Sequence, residues 1–135
     1  KAARLNTLGK AIKMSPSNHR IDQLCKNLIA ETWGDRDDFP EELSSWADHI
    51  CREFIVSYLN FLRQKEARPP DWFPETLVID WDLVDDMRHF FSDYQHITKS
   101  FLTLKRQLKM LQDIDKHKHP NAYQQMITDI LAGAN

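Results

Sequence analysis

Glycine is nearly missing from this chain, with three in 135 residues. Three scattered glycines cannot build a Gly-rich phosphate loop, and no Gly-x-Ser-x-Gly elbow is present to expose a nucleophile. Cysteine is as scarce: Cys25 and Cys51 are the only two. Neither has a second cysteine or a histidine at zinc-finger spacing, and a disulfide cannot be inferred from one distant pair. Their place in helical patterns predicts small buried hydrophobes. No run of 18 apolar residues and no signal-peptide pattern occurs, so neither a membrane span nor an export signal is expected. The compartment expected from this is the cytoplasm. No enzyme motif survives these absences, and the expectation is a protein without catalysis or cofactor.

What is present is ordinary for a folded protein, at 41% hydrophobic and 28% charged residues, and disorder is not expected. The length suits one domain spanning residues 1–135. Because the chain starts at Lys1 rather than Met, that domain is expected to be a piece of something longer.

Few glycines and clustered prolines predict helices separated at Pro16, Pro40, Pro69, Pro70, Pro74 and Pro120. The strongest pattern runs through Leu83, Met87, Phe90, Tyr94, Ile97, Phe101, Leu104, Leu108 and Leu111. Steps alternating between four and three keep one stripe facing a neighbour. As a single helix, that stripe would be roughly 42 Å long. Asp82, Asp85 and Asp86 near its start, and Lys105, Arg106 and Lys109 near its end, suit the helix dipole. A bundle core within the chain is the expected partner of the seam; an intermolecular coiled coil is the alternative.

Upstream, Leu5, Leu8 and Ile12 predict a short helix over 2–13. Ser15-Pro16 then reads as a cap and first turn for a second helix, which Gly34 ends. Asp38 reads as a cap for a long helix over about 40–65, whose wide apolar arc predicts a central position. A final short helix begins at Pro120, after a frayed stretch over 115–119. The predicted fold is all-α: an antiparallel bundle of four to five helices. Two of them, 40–65 and 81–115, are long and are joined by a Pro-rich connector.

Charge is unevenly spread beneath a net −2. Residues 31–48 and 71–87 are acidic, whereas residues 1–20 and 99–119 are basic. Such polarity orients partners. In the connector, Trp72 and Phe73 stand between Pro69, Pro70 and Pro74. These residues are expected either to close the core or to form a rigid docking surface. The function expected is non-enzymatic: docking a protein partner or forming a homo-oligomer. The alternative is nucleic-acid binding through Lys99, Lys105, Arg106, Lys109, Lys116 and Lys118, joined by the basic N-terminus, since phosphates need a cationic stripe.

Asp86-x-x-His89 recurs one heptad later as Asp93-x-x-His96. A carboxylate and an imidazole at i, i+3 can share an ion, but di-metal bundles need such motifs on two helices and further glutamates. Solvated flanks of the helix are the expectation. His117 and His119 form a pair too small for a zinc site.

Overall fold

The computed structural model describes the backbone of residues 7–34, 36–67, 73 and 77–133, and the side chains of 19–34, 37–67, 73 and 77–133. Five helices account for most of it: α1 (Thr7–Trp33), α2 (Glu41–Glu66), α3 (Trp81–Phe90), α4 (Ser92–Gln112) and α5 (Pro120–Ala132). No strand occurs among the described residues, and the fold is the all-α bundle that the periodicity predicts.

The bundle is centred on α2 and α4, each of which touches the other four helices. They run antiparallel. Phe54 stacks on Phe101 at 4.1 Å between ring centroids, and about two to three turns away Gln64 donates to the Tyr94 hydroxyl at 3.1 Å. The wide apolar arc of α2 is the reason for its position. Leu43, Ala47, Ile50, Cys51, Phe54, Ile55, Tyr58 and Phe61 are all buried, more than one neighbour could cover. α1 packs antiparallel to α2, with Asp22 paired to Arg52 near one end and Trp33 edge-on to Phe39 at the other. Ile127 and Ile130 anchor α5 in the same core. Both cysteines are buried, and neither is in a disulfide.

Helix boundaries differ from the sequence reading in four places. α1 is continuous from Thr7 through Pro16, so Ser15-Pro16 does not cap a separate helix. Proline's fixed φ is itself helical, and an interior proline costs one hydrogen bond and a ring clash with the carbonyl of the preceding turn rather than forbidding the helix. Residues 2–6 of the predicted first helix lie outside the described residues.

At α2 the flanking residue is Pro40, which provides no side-chain cap; Asp38 sits in a 3-10 turn and pairs with Lys116 at 2.7 Å. Residues 115–119 are a closed turn rather than a frayed end. The Asp115 carboxylate accepts from the backbone N–H groups of His117 and Lys118 at 2.9 and 3.2 Å. Those two donors, followed by the charges of His117 and His119, hold its carboxyl below the usual aspartate range.

The largest difference concerns the long helix. It is broken at Phe91, whose backbone is extended (φ −130°, ψ 106°), and α3 folds back along α4. The contacts require this: Trp81 stacks on Phe101 at 6.3 Å and 7°, and Lys105 Nζ lies 3.9 Å from the Trp81 ring centroid. In one straight helix, positions 81 and 105 would be roughly 36 Å apart. Folding back puts Val84 and Met87 into the core beside α2 and covers Thr98, which is fully buried with its hydroxyl donating to the Tyr94 carbonyl. A single extended residue costs few hydrogen bonds, because Phe91 N–H still reaches Met87 O and Tyr94 N–H reaches Phe91 O.

α3 begins where it does for local reasons. Asp80 is a side-chain cap, accepting from Asp82 and Leu83 N–H, while its own N–H donates to the buried Tyr58 hydroxyl at 3.0 Å. Tyr58 thus ties the start of α3 to α2. No helix among the described residues is long and apolar enough to cross a membrane.

Candidate partner-docking surface

The break at Phe91 makes an elbow, where an exposed aromatic ring and a cationic groove lie on neighbouring residues. Phe91, 38% exposed, packs one side of its ring on the core, edge-on to Phe61 at 5.4 Å and tilted against Tyr94 at 5.9 Å. Phe90 goes the other way and is 73% exposed. An aromatic ring at a heptad seam position would be expected inside; here the reversal of the chain turns it out.

Beside Phe90 lies an open groove of about 570 Å³, lined by Arg88, His89, Ser92, Gln95, His96 and Lys99. Among the described residues no carboxylate lines it. Asp85 stands at its edge, 3.3 Å from both the Arg88 guanidinium and His89 Nε2. One helical turn before them, it orients those two side chains from outside the groove's lining. From the groove the cationic character continues along α4. Lys99, Arg106 and Lys109 are exposed and fall within about 80° of one another at 100° per residue. No acid lies between Asp93 and Asp113 on that helix.

The basic residues singled out from sequence therefore divide. Lys99, Arg106 and Lys109 share one face. Lys105 is half-buried and engaged with the Trp81 indole, Lys116 is paired with Asp38, and Lys118 belongs to the turn that Asp115 closes. The continuous stripe over 99–119 is not formed, because partners distant in sequence take two of its members.

In the connector, Pro69, Pro70, Trp72 and Pro74 lie outside the described residues. Phe73 is half-buried, with the Arg20 guanidinium 5.0 Å above its ring. Leu77 and Ile79 pack on the core, while Val78 is exposed. That is the pattern of a chain laid across a bundle.

The two Asp-x-x-His motifs end up on different helices. Asp86 and His89 are on α3 and Asp93 and His96 on α4, with the nearest carboxylate contact of His89 made by Asp85. Among the described residues no three His, Cys, Asp or Glu side chains come together to hold a metal. The two imidazoles instead share the groove with Arg88 and Lys99.

The elbow itself escaped the sequence reading. Its signal is the pair Ser92-Asp93 after two phenylalanines, a small polar residue and an acid of the kind that opens a helix. No protein-family model matches the chain, and neither a curated protein nor a solved structure matches it.

Proposed function

We propose that this bundle is a non-enzymatic interaction module that docks a protein partner, or a second copy of itself, through the α3–α4 elbow. The observation that carries this is Phe90. A phenylalanine left in water forgoes about 1.5–3 kcal/mol of burial, and here it sits on a short, well-braced turn beside a charged groove. Exposed aromatics with adjacent cations are the composition of binding anchors. The backbone hydrogen bonds that flank Phe91 support the same reading, since an anchor held in place loses little entropy on docking.

The test compares proximity labelling around the wild-type chain and around Phe90→Ser in the native host. Light scattering after size exclusion on both purified proteins accompanies it. Neighbours or a dimer lost on Phe90→Ser, with unchanged helix content, is the expected result. An identical neighbour set and identical mass for the two proteins would remove the elbow from the interface.

A second reading, nucleic-acid binding, draws support from Lys99, Arg106 and Lys109 sharing one face. It is opposed by the carboxylates of Asp82, Asp85 and Asp86 on the adjoining helix, which a phosphate backbone would meet. Fluorescence anisotropy with a labelled single strand and a duplex at 50 and 200 mM salt separates the readings.

A further inference from the structure

We infer that the occupant of the elbow is an acidic segment of a protein partner, in extended form and carrying one large apolar residue. This deepens the proposed function and rests on it.

Charge complementarity is the first argument. Arg88, His89, His96 and Lys99 line the groove, Asp85 at its edge pairs with the first two, and Arg106 and Lys109 prolong it along α4, where no acid lies between Asp93 and Asp113. Carboxylates are the counter-groups that such a surface accepts, and Arg takes them in two-pronged fashion.

Spacing is the second. Lys99 and Arg106 are seven residues apart on a helix, about 10 Å along its axis. A chain of polyproline-II type rises about 3.1 Å per residue with three residues per turn, so it covers that distance in about three residues and keeps i and i+3 on one side, where acids meet both cations. From Ser92 to Lys109 the face runs about 26 Å, the length of roughly eight extended residues.

Third, Phe90 lies at one end of this track rather than in its middle. The apolar residue of the partner therefore belongs at one end of its acidic run.

A nucleic acid fits less well. Its charges are uniform and closely spaced, whereas the acidic start of α3 flanks the groove. A peptide can place its few carboxylates where the cations are and none opposite Asp85.

A random twelve-residue peptide library, displayed and selected on the intact purified chain, is the probe. Wild type is expected to enrich peptides with Asp or Glu at i, i+3 and a Phe, Leu, Trp or Tyr at one end. The strongest of these, made synthetically, is expected to lose affinity roughly tenfold on Arg88→Gln with Lys99→Gln together. It is also expected to weaken several-fold between 50 and 300 mM salt.

Enrichment of apolar peptides without acids, still dependent on Phe90, would overturn the acidic partner and leave the elbow as an interface. Enrichment indifferent to Phe90→Ser would overturn both. A single-stranded 20-mer that binds more tightly than any selected peptide and depends on Lys99 and Arg106 would overturn the inference in favour of nucleic acid.

Discussion

If α3 folds back along α4, Trp81 and Lys105 are energetically coupled, and a double-mutant cycle detects it. Trp81 is 39% exposed, so about three-fifths of its surface is hidden, and Trp81→Ala is expected to cost about 2–3 kcal/mol, scaled from a fully buried aromatic. Lys105→Met keeps the alkyl stem and removes the charge that lies 3.9 Å from the indole centroid. A cation over tryptophan at a partly exposed site contributes about 0.5–1 kcal/mol. The double variant should therefore lose about that much less than the sum of the singles. A second cycle, Trp81→Ala with Phe101→Leu, reads the stacked pair at 6.3 Å, for which about 0.5–1.5 kcal/mol of coupling is expected. Urea unfolding followed by far-ultraviolet circular dichroism gives each free energy, with constant slopes confirming comparable transitions. In an unbroken helix both pairs would be far beyond contact, and distant sites add to within about 0.3–0.5 kcal/mol. Two coupling energies inside that margin would refute the elbow.

Removing the Tyr58 hydroxyl in Tyr58→Phe leaves the Asp80 N–H without its acceptor; a loss of about 1 kcal/mol and faster amide exchange at Asp80 are expected. Ala67 closes α2 in the left-handed region at φ 54°, so Ala67→Gly is expected to raise stability by about 0.5–1 kcal/mol, read as a higher urea midpoint. Burial, helped by the negative charge of Asp48, pushes the Cys25 thiol up to about 11. The native state therefore keeps a proton that the unfolded chain releases from about pH 9. Stability present below that pH should fall as pH rises toward 11, and burial of Tyr58 acts in the same direction. Urea midpoints at pH 8 and 10.5 measure the fall; Cys25→Ala should make it shallower. An equal fall in the variant would exclude Cys25 as a source.

Most of the helical architecture was legible. The apolar stripes over residues 24–29, 43–61 and 94–111 became buried faces, Gly34 stopped α1 with a φ of +92°, and Pro120 opened α5. Periodicity reports which face of a helix is apolar, though, and a 3.5-residue repeat reads the same whether the helix continues or doubles back in register. Two residues betray the difference only in three dimensions. Phe90 belongs to the seam by spacing and is 73% exposed, while Thr98 does not belong to it and is fully buried beneath α3. The charged surface was half legible for a related reason. Lysines were visible as types, but the engagement of Lys105 by Trp81 and of Lys116 by Asp38 depends on pairs 24 and 78 residues apart.

The hinge at Phe91 also separates connectivity from packing. Only that residue's two dihedrals distinguish a chain whose α3 lies on its own α4 from one whose α3 lies on the α4 of a neighbour. Such an exchange, the low-cost route by which elements swap between identical chains, would preserve each core contact described above. Helix content and the Trp81–Lys105 coupling would be the same in both forms. For this protein, subunit count is therefore independent of the contacts within the fold, and it is read from molecular weight or from a urea midpoint that shifts with protein concentration.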